Sequence, residues 1–512
     1  MKAYLMYRDH DVDLEQSAPP NADTLMQDLE LSTLLNAMAL EDAFLLDVTR
    51  KALLVNLRDP DEMIYRQRVL ADCLEHAATV REIYDIAVQA VQAERKVWSF
   101  WAKSPDSILH RSVQVLEILV GALKRLRKIA ETAEGRFHSE GFTRFFTMLT
   151  SELSDDYFQE IDAHLRELKF PRGVLLSAEL GAGAKGAHYV LRRAREQRWI
   201  ERIAPRKRFG YSFHLADRDE SGFQALEELR GKGINLVANA LAQSTDHIVS
   251  FFGMLRTELA FYVGCLNLHA RVSAYGAPLC MPTVEVADTH SLSAEGLYDV
   301  CLSLQLQAGV VGNALNADET SLVLITGANQ GGKSTFLRSV GVAYLIMQCG
   351  MFTPAASFRA SVCDGVFTHY KREEDATMQS GKLDEELRRM SEIADMITPN
   401  ALLLCNESFA ATNEREGSEI ARQIIRALRE EGVSVFFVTH LYDLAHGFYA
   451  QEHREEHSEE QSRAHRSTLF LRAERRPDGQ RTFRVVEGEP LPTSYGEDSY
   501  QRIFGEVDTA SV

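Results

Sequence analysis

Apolar residues in the first half of the chain recur every three or four positions, which is the spacing of one helix face. Two of these stripes are long, one between residues 109 and 129 and the other between residues 248 and 266. A stripe of this kind normally packs into a core, so it indicates structure rather than a binding site. The pattern predicts a mostly helical first half.

The second half of the chain has a different pattern, in which short apolar runs alternate with helical segments. The runs at residues 321–326, 401–405 and 433–438 have the length and composition of buried strands. Residues 417–428, between the second and third runs, carry apolar residues at helical spacing. This alternation predicts a parallel sheet whose ligands bind at the carboxyl ends of its strands.

Two segments add further strands to this plan. Residues 165–215 contain strand-like pieces, which predict a strand-containing insertion or clamp. The same segment has a glycine-rich run at 181–186, which is a weak phosphate-binding candidate. Near the C-terminus, the runs at 468–472 and 481–486 flank Pro-Asp-Gly at 477–479, which is the turn chemistry of a hairpin. We expect this hairpin to belong to the α/β half.

The strongest chemical signal is G-A-N-Q-G-G-K-S at residues 327–334, which matches the phosphate-binding pattern G-x-x-x-x-G-K-[ST]. A predicted strand precedes it and a helical pattern at 336–347 follows, which is the context of a phosphate-binding loop rather than of a chance glycine-rich turn. Backbone amides would hold the phosphates, Lys333 would reach the β- and γ-phosphates, and Ser334 would bind Mg²⁺. The residues expected to bind ATP are Gly327, Asn329, Gly331, Gly332, Lys333, Ser334, Thr335 and Asn406.

The next two predicted strands end in side chains suited to hydrolysis. The second run is followed by Asn406 and Glu407, where P-loop ATPases carry an acidic pair. Glu407 would orient or deprotonate the attacking water, and Asn406 would accept a hydrogen bond from a water bound to Mg²⁺. The alternative is that the pair only caps a turn. The third run is followed by His440, which would sense the γ-phosphate; its alternative is a structural histidine.

These motifs together resemble the ATPase domain of MutS-type DNA mismatch-repair proteins, whose loop reads G-P-N-M-x-G-K-S-T. Four further segments are similar to family patterns. Residues 349–356 resemble G-x-F-V-P-A, 364–368 resemble D-x-I-F-T, 439–440 match T-H, and 494–496 match S-[YF]-G. The resemblance covers roughly residues 283–512 and implies an α/β P-loop ATPase domain of ABC type with a C-terminal hairpin. A looser match at residues 59–70 is similar to the start of the family's core domain. It implies that residues 1–282 form a helical core and lever.

The chain also departs from the family patterns. The family's D-E-x-G-R-G-T-S-T-x-D-G is N-E-S-F-A-A-T-N-E-R-E-G here, which keeps Glu407, Thr412 and Gly417. The family's G-x-S-T-F-M signature, which reaches the partner's nucleotide across a dimer, is S-G-K-L-D-E at residues 380–385. Ser380 or Lys382 could replace its serine–threonine pair. Low turnover is therefore expected.

The resemblance implies a homodimeric clamp that binds and hydrolyses ATP with Mg²⁺ to open and close on DNA. The clamp would select DNA by its structure rather than its sequence, with branched or distorted DNA as its target. We expect a shortened form without the mismatch-recognition domain or an appended nuclease, so mismatch repair itself is not predicted. The alternative is a nucleotide-gated switch with slow or no hydrolysis that acts on structured RNA, a ribosome or a protein. Asn406, the altered signature and the acidic charge favour that alternative.

Composition sets outer limits on these interpretations. The chain has 512 residues, 45% of them hydrophobic, which is enough for two to four globular domains. Seven scattered cysteines without a C-x-x-C pair indicate reduced thiols in a cytoplasmic protein rather than a zinc site. We expect neither a signal peptide nor a run long enough to span a bilayer.

The candidate DNA contact is a basic cluster in the predicted insertion. The net charge of −18 argues against nucleic acid as a general partner, but phosphate binding needs only local positive potential. Residues 192–208 carry the densest group of arginines and lysines, ending in Arg206, Lys207 and Arg208, with aromatic residues following at alternating positions. Such side chains can contact phosphates and stack on bases. The alternative is a solvated helix face followed by a half-buried strand.

Overall fold

A computed structural model describes residues 1–97, 104–171, 173–193, 214–372, 381–455, 467–476 and 480–491. The chain divides into two compact units. The first consists of Met1–Tyr4 and Ala78–Leu259, and the second of Leu5–Ala77 and the chain from Ala260 onward. The units are interleaved along the sequence, so the N-terminal residues 5–77 share a unit with the predicted phosphate-binding loop.

Short helices occupy the N-terminal part of the second unit. They are α1 (Ala22–Asp28), α2 (Leu31–Ala39), α3 (Ala43–Leu54) and α4 (Pro60–Glu75). The Asp42 carboxylate accepts hydrogen bonds from the first amides of α3, and Asp59 followed by a proline starts α4. These are strong N-terminal signals because they satisfy amides that have no partner within the helix.

The first unit is built mainly from long helices. They are α5 (Ala77–Val97), α6 (Pro105–Ala133), α7 (Glu140–Glu152) and α8 (Asp155–Leu168), and the unit also holds the first part of α9 (Glu220–Ala274). Both predicted stripes are confirmed: one lies in α6, where Leu109, Leu119 and Leu123 are buried, and the other lies in α9.

Within the described part of residues 165–215, two strands form a hairpin. Strand β1 (Leu175–Leu180) pairs antiparallel with β2 (Gly186–Arg192). The glycine-rich run at 181–186 joins these two strands, so it does not precede a helix as a phosphate-binding loop does. The basic cluster of Arg206, Lys207 and Arg208 lies outside the described residues.

Helix α9 is long and apolar enough, by length and composition, to cross a membrane, which the sequence patterns did not predict. However, 67% of its apolar window is buried inside the protein. Core helices of soluble proteins pass the same length and composition test, so this test alone is weak evidence for a membrane span.

A small mixed sheet begins the C-terminal part of the second unit. Its strands are β3 (Thr283–Glu285), β4 (Leu292–Leu297), β5 (Asn313–Asn316) and β7 (Ser357–Ser361), in the spatial order β3-β7-β4-β5. Helix α10 (Val300–Leu306) connects β4 to β5 and starts at Asp299, whose carboxylate accepts a hydrogen bond from Leu302 N–H.

The larger sheet has six strands in the order β12-β11-β6-β10-β9-β8. They are β6 (Thr320–Thr326), β8 (Val366–Tyr370), β9 (Leu402–Asn406), β10 (Ser434–Val438), β11 (Ser467–Arg475) and β12 (Arg481–Glu487). All neighbours pair in parallel except β11 and β12, which form the antiparallel hairpin that the sequence predicts. The three predicted buried strands are confirmed as β6, β9 and β10.

Four helices connect these strands: α11 (Lys333–Gln348), α12 (Lys382–Met396), α13 (Glu414–Glu430) and α14 (Tyr442–Glu455). One apolar core joins strands β6, β9 and β10 to α12, α13 and α14, with Leu324, Leu403 and Phe437 essentially without exposed surface. The described chain is therefore helix-rich with mixed α/β sheets, and its buried central strands rigidly place the residues that follow them.

Candidate functional site

The order of the strands brings the predicted site residues to one edge of the sheet. Strand β10 lies between β6 and β9, and its last residue, Val438, pairs with Ile325 on one side and Asn406 on the other. All three strands are parallel, so the segments that follow them start side by side. The phosphate-binding loop, Glu407 and His440 consequently meet.

The loop between β6 and α11 has the conformation that its glycines allow. Gly327 and Gly332 have φ of +108° and +96°, in a region that favours glycine, and Gly332 caps α11. A Cβ atom on Gly332 would lie 3.0 Å from the Phe483 carbonyl oxygen, so the loop also packs closely against the hairpin. Within the loop, Asn329 is exposed and Gly331 is buried.

Lys333 lies at the centre of this loop. Its Nζ donates hydrogen bonds to the carbonyl oxygens of Gly327 and Ala328, both at 2.9 Å, so the loop curves around the amine. The side chain is 4% exposed. Burial lowers the pKa of Lys333 to about 8, and the nearby Glu407 carboxylate opposes that shift.

A line of three side chains crosses the strand ends. His440 Nε2 lies 3.4 Å from Lys333 Nζ and 3.1 Å from Glu407 Oε1. The other carboxylate oxygen, Oε2, lies 3.9 Å from the amine of Lys371, a residue that the sequence did not single out. The hydrogen bond with His440 holds the pKa of Glu407 below its ordinary value, although burial opposes it. Glu407 is therefore an ionised carboxylate between two basic groups.

Ser334 and Asn406 face each other across the start of α11 and the end of β9. The Ser334 hydroxyl donates to Asn406 Oδ1 at 2.8 Å. Hydroxyl and amide oxygens are ligands that Mg²⁺ accepts, so this pair fits a magnesium site next to the phosphate-binding loop. Thr335, the next residue of α11, is half-buried.

The segment after β9 keeps the glycine that its packing requires. A Cβ atom on Gly417, in the first turns of α13, would collide with the carbonyl oxygen of Phe409. Thr412 donates a hydrogen bond to the Glu416 carboxylate just ahead of that position. Gly417 and Thr412, two of the three residues kept from the family pattern, thus have structural roles here.

The predicted trans signature is described only in part. Lys382 is the first residue of α12 and is exposed, whereas Ser380 lies outside the described residues. The role of this segment therefore stays a prediction.

The hairpin contributes site residues that the sequence analysis missed. The Arg481 guanidinium donates to Gln330 Oε1 at 2.7 Å, and the backbone of Phe483, a residue that is 51% exposed, packs against Gly332. An exposed aromatic face next to a phosphate-binding loop is a surface on which a nucleobase can stack. Only the hairpin prediction signalled these residues, because 151 positions separate Arg481 from Gln330.

Comparison with known proteins matches the two parts of the chain separately. Residues 58–275 match the family model described as MutS2 N-terminal domain, and residues 323–486 match that described as MutS domain V. The first match begins where the looser sequence resemblance begins, and the second contains the loop, Glu407 and His440.

Similar curated proteins carry the name DNA mismatch repair protein MutS. The protein of Desulforamulus reducens is 34% identical over 154 residues, covering 30% of this chain and 18% of that protein. The protein of Clostridium kluyveri is 30% identical over 187 residues, 36% of this chain and 21% of that protein. The protein of Streptococcus suis is 26% identical over 306 residues, 55% of this chain and 33% of that protein.

The matched part of the chain thus spans between about a fifth and a third of the length of these relatives. Two family models nevertheless match successive segments of the chain, and the strand order brings the residues of the resembling motifs together at one edge of the sheet. The matched residues, 58–275 and 323–486, belong to the MutS family.

Proposed function

We propose that this protein is an ATPase of the MutS type that binds DNA as a homodimeric clamp and uses ATP to open and close it. The observation that carries the proposal is the row of Lys333, His440 and Glu407 across three adjacent strand ends. This row joins a phosphate-binding loop to an ionised carboxylate, the combination that hydrolysis of a nucleoside triphosphate needs.

ATP binding uses groups that now contact one another. The Lys333 amine would exchange its contacts with the two loop carbonyl oxygens for oxygens of the β- and γ-phosphates. The amides at the start of α11, the helix that Lys333 begins, would add partial positive charge. Phe483 offers a stacking face for the base. The ABC-type P-loop fold of residues 283–512, which carry this site, is part of the proposal.

Hydrolysis needs a water held in line with the γ-phosphate. Glu407 accepts a proton of that water, and its low pKa keeps it ionised for this role. His440, which already lies between Lys333 and Glu407, donates to the γ-phosphate. Ser334 would hold Mg²⁺ directly and Asn406 would hold it through a water, and a bound ion would supply positive charge for the phosphate oxygens. Because the Asn406 amide is neutral, slow turnover is part of the proposal.

The partners are proposed from the family and from two further segments, the basic cluster and the trans signature. The named relatives are DNA mismatch repair proteins, which supports DNA as the partner. Arg206, Lys207 and Arg208 are the proposed phosphate contacts of the clamp, within a helical core and lever of residues 1–282. Ser380 or Lys382 would reach the nucleotide of the second copy. We propose a cytoplasmic protein that selects DNA by structure.

The test is DNA binding by the Glu407→Gln variant loaded with ATP, compared with Lys333→Ala. Linear, mismatched, branched and single-stranded DNA are titrated at near-physiological salt, with a structured RNA alongside. We expect ATP-dependent preference for branched or distorted DNA, which Lys333→Ala abolishes. Equal weak binding to every DNA with or without ATP contradicts the clamp, and ATP-dependent binding to the RNA alone would replace DNA with RNA as the cargo.

Hydrolysis is measured in the same preparations. The wild-type protein should turn over ATP in a magnesium-dependent reaction, and Glu407→Gln should abolish turnover while it preserves ATP affinity. If Glu407→Gln hydrolyses ATP at the wild-type rate, Glu407 does not have the role proposed here.

A further inference from the structure

The turn that carries Glu407 is held in an unusual backbone conformation. Glu407 and Phe409 have φ of +54° and +62°, although neither is a glycine. Such residues are uncommon in the left-handed region because Cβ crowds the backbone, and they remain there only where their surroundings fix them. The turn follows β9 directly, so its backbone decides where the Glu407 carboxylate lies.

The residue between these two, Ser408, is bound to a buried histidine. Ser408 Oγ lies 2.7 Å from His369 Nδ1 and 2.8 Å from the His369 carbonyl oxygen. Both residues are fully buried, with 0% exposure. The ring of Phe409 stacks on the imidazole, with centroids 5.5 Å apart and planes inclined by 22°. One histidine thus contacts two successive residues of the turn.

The second imidazole nitrogen reaches helix α12. His369 Nε2 lies 3.0 Å from the backbone carbonyl oxygen of Glu386, which can only accept, so Nε2 carries the proton. Burial, together with the positive charge of Arg389, lowers the pKa of His369 to about 4, and the ring is neutral near pH 7. Nδ1 then carries no proton, and the single proton of the Ser408 hydroxyl is shared between two acceptors, Nδ1 and the His369 carbonyl oxygen. The hydrogen bonds run from the turn, through the ring, to α12.

This arrangement compensates for a departure from the family pattern. The pattern D-E-x-G has a glycine at the position of Phe409, and glycine enters the left-handed region without strain. Phenylalanine does not, so this chain needs contacts that stabilise the same backbone. His369 and the full burial of the Phe409 ring supply them.

We propose that His369 is a positioning residue: with Ser408 it fixes the strained turn that presents Glu407 and ties that turn to α12. The inference rests on the proposed role of Glu407 in hydrolysis. His369 does not touch the nucleotide in this scheme; it acts through the backbone that places the carboxylate. The helix it reaches, α12, begins at Lys382 of the predicted trans signature, so the same contact links the two segments.

Three variants separate the two hydrogen bonds of the ring. In His369→Asn, the amide oxygen can replace Nδ1 as the acceptor for Ser408, and the link to Glu386 is lost. In His369→Gln, the amide nitrogen can keep the link to Glu386, and the acceptor for Ser408 is lost. Ser408→Ala removes the turn's own partner. The control is Tyr262→Phe, which removes one buried hydrogen bond, to the Leu5 carbonyl oxygen, in the same compact unit.

The kinetic readout is the split between turnover and affinity. We expect Ser408→Ala and His369→Gln to lower kcat about tenfold or more with ATP affinity changed less than about twofold, because the misplaced carboxylate affects the reaction rather than binding. His369→Asn should recover most of that loss, and Tyr262→Phe should keep wild-type turnover. Equal kcat in the Asn and Gln variants, or a parallel loss of ATP affinity, overturns the proposal.

A second readout does not depend on hydrolysis. Amide hydrogen exchange of the segment at residues 405–410 should be faster in His369→Gln and Ser408→Ala than in the wild type, and unchanged in Tyr262→Phe. If the wild-type protein shows no hydrolysis that depends on Glu407, the proposed function fails, yet exchange still tests the turn. Unchanged exchange in both variants rejects the positioning role even where hydrolysis is normal.

Discussion

At the scale of single residues, Asn406 replaces the aspartate of the family pattern with an amide of nearly the same shape but without its charge. Its amide oxygen stands where the family pattern has a carboxylate and accepts a hydrogen bond from Ser334, so the proposed magnesium site has one negative charge fewer. A unit charge within about 4 Å of another contributes on the order of a few kcal/mol at a partly screened site.

Restoring that charge should strengthen metal binding. We predict that Asn406→Asp lowers the Mg²⁺ concentration needed for half-maximal ATP hydrolysis about tenfold or more, as measured by titrating Mg²⁺ at saturating ATP. The control is Asn239→Asp, the same chemical change at an exposed position of α9. A response of equal size in both variants would mean that general charge, and not the site, is responsible.

The buried His369 gives a second prediction, concerning stability against acid. Its pKa falls from an ordinary 6.5 to about 4 on folding, so between these values the unfolded chain binds the extra proton. The free energy of unfolding should therefore decrease as the pH falls from 6.5 to 4, with a contribution from His369 of up to about 3 kcal/mol.

Chemical denaturation at several pH values measures this effect. His369→Gln should make the decrease between pH 6.5 and 4 shallower, because glutamine does not titrate. His164→Gln, which removes an exposed histidine, is the control and should leave the slope unchanged. A wild-type slope in His369→Gln would show that other groups cause the acid sensitivity.

Site residues were predictable where one local pattern carried them. Lys333, Glu407 and His440 each follow a recognisable strand, and parallel pairing brings them together. Lys371 and His369 were not predictable, because they act through contacts with residues more than thirty positions away and no spacing rule marks them.

At the scale of elements, the apolar runs predicted the central strands well because a fully buried strand needs an uninterrupted apolar sequence. The observed strands are Thr320–Thr326, Leu402–Asn406 and Ser434–Val438, and the predicted runs were 321–326, 401–405 and 433–438. The pairing of strands was harder to predict. That β10 inserts between β6 and β9 depends on packing across the whole sheet, which local patterns do not encode.

Helix α11 is anchored by an ion cluster that no sequence motif indicated. Arg338, on α11, contacts the carboxylates of Asp299, which is fully buried, and Glu30, which starts α2. We predict that Arg338→Met lowers the free energy of unfolding by about 3–5 kcal/mol, because the buried Asp299 loses its partner. Urea denaturation measures the change.

The control for this cluster is an exposed ion pair in the same unit. Arg359 and Asp318 lie 2.6 Å apart with side chains 37% and 40% exposed. Arg359→Met should lower the free energy of unfolding by less than about 1 kcal/mol, since solvent screens exposed pairs. Comparable losses in the two variants would contradict a special role for the buried cluster.

At the scale of the whole molecule, net charge and local charge point in different directions. A protein with a net charge of −18 repels DNA at long range, so a clamp of this composition needs a concentrated basic segment. Residues 192–208 are the densest such segment in the sequence.

We predict that a triple variant that neutralises Arg206, Lys207 and Arg208 binds DNA of every sequence more weakly. The salt dependence of its DNA affinity should also be smaller. Each lost phosphate contact reduces the slope of log K against log salt by about 0.7–0.9, so the triple variant should lose up to about 2–3. Fluorescence anisotropy over a salt series measures the slope. The control is a second triple variant that removes the same number of charges at Lys124, Arg125 and Lys128 of α6. Equal slopes in the two triple variants would reject the basic cluster as the DNA contact.

The interleaving of the two units also determines the order in which the chain can fold during synthesis. The first unit is almost one continuous segment, Ala78–Leu259, and its internal contacts are complete once that segment has left the ribosome. The N-terminal residues 5–77 belong with a segment that begins only at residue 260, and the phosphate-binding loop follows some 250 residues after residue 77. At about 5–20 residues per second, these helices wait on the order of 10–50 s for their partners. Their apolar faces lack their native partners during that interval, so we expect the nascent chain to bind chaperones until the segment from residue 260 onward has been made.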